Sequence, residues 1–169
     1  MHTKKGLSAV VATVLLVGLA VILVGILWGV ISNLVQTKLE ETHCLDAIGK
    51  ITFNDLYTCH NRTTGNFQFS INVDDIDLER ATVSIYVQGE RKSLEITSVN
   101  TTVANLKLYN KVYSEVILPI RGGGLTYLYN LTAAGFSNAP DRVEIAPVLG
   151  GDQCDTSDSI LEIPYCSGG

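Results

Sequence analysis

Residues 7–36, LSAVVATVLLVGLAVILVGILWGVISNLVQ, form an uninterrupted run without a charged side chain. An α-helix rises 1.5 Å per residue, so a helix of this length spans about 45 Å. The hydrocarbon core of a bilayer is only about 30 Å thick. A helix that is apolar on every face must be covered on every face, by lipid or by protein. The run therefore predicts a long N-terminal helix that is buried in a membrane, among protein partners, or in each at different times.

A short basic segment precedes the run, and an acidic region follows it. Lys4 and Lys5 lie just before it, whereas every carboxylate lies at Glu40 or later. Lysines at one end of a membrane helix favour a cytoplasmic location for that end. A secretory signal has a short apolar stretch followed by a small-residue cleavage site. Here the small residue, Gly6, precedes a much longer stretch, so the segment does not have the pattern of a conventional signal peptide.

The residues around Gly6 form a more specific pattern. The tripeptide KKG at residues 4–6, followed by LSAVVAT at residues 7–13, resembles the class III signal of archaeal type IV pilins. The resemblance implies cleavage between Gly6 and Leu7 by a membrane aspartic prepilin peptidase, with the helix retained in the mature subunit. Bacterial pilins carry Glu at the fifth residue after the cut, where this chain has Val11. That difference favours an archaeal member of the family.

The resemblance also implies how the protein is used. A pilin is inserted in the cell membrane as a precursor and is polymerised by a pilus assembly machinery into an extracellular helical filament of identical copies. Loss of residues 1–6 removes two lysines, so the net charge changes from −5 to −7 before the new amino terminus is counted. Cleavage therefore removes the charge that opposes extraction of the helix from the membrane.

Small residues along the apolar run favour close packing between helices. Gly25 and Gly29 have the Gly-x-x-x-Gly spacing that lets helix backbones approach one another, and Gly18 is a third candidate packing position. Trp28 is suited to the membrane interface in the precursor and to packing between helices in a filament. The same spacing also occurs in simple membrane dimers, and an uncleaved helix would make a single-pass anchored protein. We expect filament packing, because the signal is of the filament type.

The rest of the chain has a different pattern. From about residue 50, apolar and polar residues alternate, as in Phe67, Phe69 and Ile71, and this two-residue period predicts half-buried strands. Turn-forming sequences at 88–90, 122–124 and 138–141 separate the strands. We predict an α+β fold with a lollipop shape: a signal segment at 1–6, a helix at 7–43 and an antiparallel β-sandwich head at 44–169. The other alternating pairs are Val83 and Ile85, Leu94 and Ile96, Leu106 and Leu108, Val116 and Leu118, Tyr127 and Tyr129, and Val143 and Ile145.

All four cysteines, Cys44, Cys59, Cys154 and Cys166, lie beyond the apolar run. An even number of cysteines in a segment outside the cell indicates disulfide bonds. Three connectivities can join four cysteines, and we expect the local pairs 44–59 and 154–166. A bond from Cys44 to Cys154 or to Cys166 would instead tie the end of the helix to the C-terminal part of the head.

Three Asn-x-Thr sequons lie in the same region, at Asn61, Asn100 and Asn130. Sequons on the outer side of a membrane are acceptors for N-linked glycans. Such triplets also arise by chance, and an unmodified surface asparagine is the alternative at each of them. We predict N-glycosylation of the head.

The sequence offers three candidate metal sites, one for zinc and two for calcium, and we favour none of them. His43 and Cys44, with Cys59 and His60, provide four zinc-binding side chains, but without the Cys-x-x-Cys spacing of zinc sites. Two acidic clusters lack the Gly-centred loop and closing acid of a calcium site, so we expect solvated turns there. These clusters are Asp74, Asp75, Asp77 and Glu79, and Asp152, Asp155 and Asp158.

We expect no catalytic residue, no cofactor and no nucleic-acid partner. No nucleophile lies in a recognisable pattern with a base, and a net charge of −5 without a basic cluster beyond residue 5 disfavours nucleic acid. Seven tyrosines are suited either to strand packing or to an adhesive surface. We therefore expect a pilus subunit with a role in surface attachment. The alternatives are an archaellum-type motility subunit and a monomeric, membrane-anchored extracellular binding domain.

Overall fold

The computed structural model describes the backbone of residues 9–112 and 114–166, and the side chains of 10–35, 44–112 and 114–166. The chain divides into two compact units, Met1–Glu41 and Thr42–Gly169. Helix α1, Ala9–Ala47, supplies the described part of the first unit and extends into the second. Everything described after Gly49 is strand, turn or loop apart from one 3-10 turn, Asp55–Tyr57. The fold is therefore α+β, as the sequence predicts.

Helix α1 ends at Ala47, four residues beyond the predicted boundary at 43. Gly49 has a φ of +78°, a left-handed conformation that glycine adopts without a steric penalty and that commonly follows a helix end. The Lys50 N–H donates to the Ala47 carbonyl at 3.1 Å. The glycine, rather than the charged residues that begin at Lys38, sets the end of the helix.

The strands of the second unit form two larger sheets and one small one. The first sheet has the order β1-β3-β9-β7, with β2 also pairing with β3, and the second has the order β11-β10-β4-β5, with β12 also pairing with β10. The small sheet pairs β6 with β8, and the strand pairs of all three sheets are antiparallel. The strands are β1 (Ile51–Phe53), β2 (Cys59–Asn61), β3 (Asn66–Val73), β4 (Arg80–Val87), β5 (Glu90–Thr97), β6 (Thr101–Thr102), β7 (Leu106–Leu108), β8 (Glu115–Val116), β9 (Gly124–Asn130), β10 (Arg142–Leu149), β11 (Asp152–Gln153) and β12 (Asp158–Leu161).

One hydrophobic core receives side chains from both larger sheets. Phe67, Phe69 and Tyr127 stack in series, with ring centroids 5.4 Å and 5.2 Å apart, and Phe53 meets Phe69 edge-on at 6.3 Å. Aromatic pairs in these geometries stabilise a core beyond their buried area. The alternation that predicts β3, β4, β5, β9 and β10 is confirmed, because the apolar members of each pattern are buried. The fully buried members include Ile71, Val83, Ile85, Ile96, Val143 and Ile145.

The turn predicted at residues 88–90 is the loop of the β4–β5 hairpin. Val87 pairs with Glu90, so only Gln88 and Gly89 lie between the strands. Their φ angles are +50° and +86°. Two consecutive residues with positive φ match the type I′ turn, whose twist fits two-residue hairpins.

The predicted local disulfide pairing is wrong. Cys44 is bonded to Cys154 and Cys59 to Cys166, across sequence separations of 110 and 107 residues. The C-terminal segment runs beside β2, where the His60 N–H donates to the Pro164 carbonyl at 2.8 Å and the Cys166 N–H donates to the His60 carbonyl at 3.1 Å. Proximity along the chain therefore does not decide the pairing. The arrangement of strands brings the two halves of each bond together.

Candidate functional site

The apolar surface of α1 is the most distinctive feature of the first unit. Val10–Val35 contains no charged residue, and every described side chain within it is exposed. These 26 residues extend about 39 Å at 1.5 Å per residue. Trp28, in the middle of the helix, is 73% exposed. The helix is long and apolar enough to cross a membrane.

The three candidate packing glycines lie on one side of this helix. At about 100° per residue, Gly18, Gly25 and Gly29 fall within about 40° of one another around the axis. A methyl group added to any of them meets no atom of the described residues within 4 Å. Within the part of the chain that the structure describes, these glycines are therefore not needed for packing. They leave a shallow stripe that another helix backbone can approach closely.

The residues of the predicted processing site lie outside the described residues. Gly6 and Leu7 precede Ala9, where the described helix begins. The prediction of cleavage between them rests on the sequence pattern.

The last turn of α1 belongs to the second unit, where a covalent bond and several hydrogen bonds hold it. Cys44 is bonded to Cys154, and Ala47 is completely buried. The Ser157 hydroxyl donates to the Ile51 carbonyl at 2.8 Å and accepts from the Gly49 N–H at 2.9 Å. These contacts fix the exit of the chain from the helix into β1.

Asp158 joins the two sheets beside this point. Its Oδ2 accepts from the Phe53 N–H of β1 at 2.7 Å, although Asp158 itself begins β12 of the second sheet. Its Oδ1 accepts from the Ser159 N–H at 2.8 Å. The sequence predicts a solvated acidic turn around Asp158 and gives no signal for a role of Ser157. No spacing signal connects either residue to β1, which lies more than 100 residues earlier.

Both cysteines of the candidate zinc site are in disulfide bonds and cannot bind a metal ion as thiolates. Cys44 and Cys59 belong to different disulfides, and the His43 side chain lies outside the described residues. Within the part of the chain that the structure describes, no group of three or more His, Cys, Asp or Glu side chains is placed to hold a metal ion.

The first acidic cluster is paired with an arginine that the sequence does not single out. Asp75 forms an ion pair with Arg121, and Asp77 Oδ2 lies 3.7 Å from an Arg121 guanidinium nitrogen. The hydrogen bond to Asp75 and its charge raise the pKa of Arg121. All three side chains are exposed, and such surface ion pairs contribute little to stability. In the second cluster, Asp152 and Asp155 are exposed, whereas Asp158 accepts a hydrogen bond from the Phe53 N–H of β1.

His60 is a buried polar residue of β2. It is 8% exposed, its ring lies 5.9 Å from that of Tyr165, and its Nδ1 is buried with no hydrogen-bond partner in the structure. The Arg62 guanidinium covers the other ring, 3.5 Å from the Tyr165 centroid. Burial, and secondarily the charge of Arg62, lower the pKa of His60. Both effects disfavour the protonated imidazole at the position where the C-terminal segment pairs with β2.

The sequons occupy two kinds of position. Asn61 and Asn130 both pair with Asn66 of β3, one from each side, and thus form a row of three asparagines across the first sheet. Asn61 is half-buried, whereas Asn100 and Asn130 are exposed. Asn100 lies in the turn between β5 and β6. The sequons at Asn61 and Asn130 also contribute to one surface cleft of about 250 Å³, lined by His60, Arg62, Thr63, Thr64, Gly65, Leu131, Thr132, Phe136, Ser137 and Asn138.

The tyrosines divide between core and surface. Tyr127 and Tyr129 are buried in the core, and burial raises the pKa of both phenols. The Tyr127 hydroxyl donates to the Ile117 carbonyl at 2.7 Å, which satisfies its hydrogen-bonding need inside the core. Tyr57, Tyr109 and Tyr165 are exposed.

The described architecture, an apolar N-terminal helix followed by a sheet-rich domain, is compatible with that of pilins. No protein-family model matches the sequence, and no curated protein shows significant similarity to it.

Proposed function

We propose that this chain is the structural subunit of an archaeal type IV pilus. It is inserted in the membrane as a precursor, cleaved after Gly6 by a prepilin peptidase, and polymerised through its N-terminal helix into an extracellular filament for surface attachment. Before assembly its partner is the membrane and the assembly machinery. Afterwards its partners are copies of itself.

The observation that carries the proposal is the exposure of Val10–Val35 on every face of α1. Roughly twenty large apolar side chains at about 1.5–3 kcal/mol each give tens of kcal/mol for withdrawing this surface from water. Lipid supplies that cover in the precursor. Once the helix has left the membrane, other copies of the same helix are the partners that match it in length and hydrophobicity.

Two features support a filament over a permanent single-pass anchor. The class III-type sequence places the cleavage site before the helix, so that processing keeps the helix and removes its lysines. The stripe of Gly18, Gly25 and Gly29 is open on the helix, and no described residue of the chain packs against it. A permanent anchor requires neither feature.

The second unit supports an exterior location. We propose that its two larger sheets form a β-sandwich head, because their buried side chains belong to one core. Two disulfides suit an oxidising environment, and the sequons make the head a candidate glycoprotein. In this proposal the head is neither an enzyme nor a nucleic-acid-binding domain, and it presents the outer surface of the filament.

The experiment compares protein sheared from cell surfaces with protein extracted from membranes by detergent. Intact mass and N-terminal sequencing identify the first residue in each fraction. We expect chains that begin at Leu7 in sheared filaments and chains that begin at Met1 in membranes. Gly6→Val is the matched variant, and we expect it to remain in the membrane fraction with its lysines.

Other outcomes separate the alternatives. Chains that begin at Met1 and occur only as detergent-extracted monomers would support an anchored binding domain and overturn the proposal. If deletion of the gene removes the filaments and abolishes swimming, the result would support an archaellum-type subunit. We expect the deletion to remove the filaments, leave swimming intact and reduce attachment to surfaces.

A further inference from the structure

The three sequons are chemically matched, since each is Asn-x-Thr, but they differ in how firmly the fold holds them. In N-glycosylation the asparagine Nδ2 attacks the anomeric carbon of an oligosaccharide carried on a lipid phosphate. The bond from that carbon to the phosphate oxygen breaks, the lipid phosphate leaves, and Nδ2 loses a proton. The transferase must hold the asparagine amide and the threonine hydroxyl two residues later together. A sequon paired within a sheet therefore has to leave the sheet first.

The sequon at Asn130 is held by its backbone and by its central residue. The Asn130 N–H donates to the Asn105 carbonyl at 2.8 Å, and the next N–H, of Leu131, donates to the Gly65 carbonyl at 3.2 Å. The Asn130 side-chain oxygen also accepts from the Ala133 N–H at 2.9 Å. Leu131 is 2% exposed and belongs to the hydrophobic core. Presenting this sequon to an enzyme requires Leu131 to leave the core.

The sequon at Asn61 is held by its side chain and by the residues before it. Its side-chain oxygen accepts from the N–H groups of Thr63 and Thr64 at 2.9 Å and 3.0 Å. Asn61 ends β2, in which Cys59 is bonded to Cys166 and His60 pairs with the C-terminal segment. Presenting Asn61 therefore requires β2 to separate from β3 while the disulfide still holds one end of the strand.

The sequon at Asn100 is held more weakly, because its asparagine lies outside the sheets. Only its two threonines are paired, and the Thr101 hydroxyl lies 3.4 Å from that of Thr97. Asn100 is exposed in the turn after β5, and its neighbour Val99 is 64% exposed. The following threonines form β6, a two-residue strand that, within the described residues, pairs only with the two residues of β8. Short, exposed segments with few buried contacts open locally at low cost, whereas core strands open only with much of the domain.

We propose that Asn100 is the acceptor that is glycosylated on the folded head, whereas Asn61 and Asn130 accept glycans only before the first sheet closes. Formation of the Cys59–Cys166 bond ends the period in which Asn61 is accessible. The three sites then report the order of events after export: glycans at Asn61 or Asn130 record modification before folding, and a glycan at Asn100 is compatible with later modification. This proposal rests on the sequons and the head, not on filament assembly.

The test uses the full chain, produced without glycans and purified oxidised in detergent. It is incubated with a purified oligosaccharyltransferase and a lipid-linked oligosaccharide. Three synthetic peptides that contain the sequons serve as unfolded references, and the transferase is chosen to modify all three at similar rates. Peptide mass spectrometry gives the rate at each asparagine. We expect Asn100 of the chain to react within about threefold of its peptide, and Asn61 and Asn130 at least tenfold more slowly than theirs.

A Cys59→Ser/Cys166→Ser variant separates the two protected sites. We expect its Asn61 rate to rise several-fold while Asn130, which Leu131 still holds, stays slow. If that variant unfolds, the rates of glycan transfer to Asn61 and Asn130 rise together. The comparison of the wild-type chain with its three peptides then still tests the proposal. Modification of Asn61 or Asn130 in the native chain as fast as Asn100 would overturn the proposal. So would an Asn100 that fails to react in the chain although its peptide reacts.

Discussion

Cys44, in the last turn of α1, is bonded to Cys154, which follows β11, with their Cα atoms 5.3 Å apart. Within four residues of Cys154, Ser157 and Asp158 hydrogen-bond to the chain as it passes from the helix into β1. The start of the second unit is therefore held to a segment near its C-terminal end by one covalent bond and several hydrogen bonds. A pull on this end of the helix would be transmitted to both larger sheets, because β1 belongs to the first and β12 to the second.

Breaking either disulfide should destabilise the head by a similar amount. The bonds close loops of 110 and 107 residues, and removal of a disulfide from a small exported domain costs about 2–5 kcal/mol. We expect Cys44→Ser/Cys154→Ser and Cys59→Ser/Cys166→Ser each to lower the free energy of unfolding by that amount in urea titrations of the full chain in detergent. A peptide map without reduction checks the pairing, and a peptide that joins Cys44 to Cys59 would contradict it.

Asp158→Ala should destabilise the head although the residue begins a short strand at the sheet edge. The substitution leaves the Phe53 N–H without its acceptor, and an unsatisfied, partly buried donor costs about 1–3 kcal/mol. Asp155→Ala, at an exposed position in the same acidic segment, is the control and should change stability by less than about 0.5 kcal/mol. Equal effects of the two substitutions would show that Asp158 does not join the sheets.

The long strands could be predicted from the sequence, and so could β7 from Leu106 and Leu108, but most of the short strands could not. Phe67, Phe69 and Ile71 alternate over enough residues to establish a two-residue period, so β3 is recognisable. β1, β2 and β11 have only two or three residues each, and no period can be read over so short a stretch. Their pairing depends on β3 and β10, whose edges they extend.

The disulfides and the contacts of Ser157 and Asp158 were not predictable for a related reason. They depend on which strands are neighbours, and several strand orders are compatible with one alternating pattern. The entropy of loop closure favours nearby cysteines only in the unfolded chain. In the folded head, the C-terminal segment pairs with β2, and that pairing decides the partner of Cys59. The apolar helix, by contrast, was predictable because a long run of uncharged, mostly apolar residues is enough to indicate a helix of membrane-spanning length.

His60 should make the head less stable in weak acid. Burial and the charge of Arg62 lower its pKa in the folded head below the ordinary value of 6.5. Below about pH 6.5 the unfolded chain therefore takes up a proton that the folded head does not. The free energy of unfolding decreases as the pH is lowered, and it levels off once the pH is below the pKa of His60 in the folded head. His60→Gln should remove this component. Urea titrations between pH 7.5 and 5 give the slopes for both proteins, and identical slopes would contradict the assignment.

The glycine stripe of α1 should matter for assembly and not for folding. Gly29→Leu fills the stripe, but no atom of the described residues lies within 4 Å of the added Cβ. We expect this variant to insert in the membrane and fold normally while its filaments are lost or greatly reduced in electron micrographs of sheared material. Ala20→Leu, on the opposite side of the helix by about 180°, is the matched control and should assemble better. Equal assembly of the two variants would contradict packing through the stripe.

The accessibility of Trp28 in purified, lipid-free filaments tests the central claim most directly. It is the only tryptophan of the chain, and it is 73% exposed on the isolated helix. Tryptophan fluorescence therefore reports only on whether the surface of α1 is shielded from water. If the helices cover one another in the filament, Trp28 emission will be blue-shifted and protected from acrylamide without lipid or detergent. A Trp28 that is freely quenched in those filaments, or protected only when lipid or detergent is present, would contradict the account.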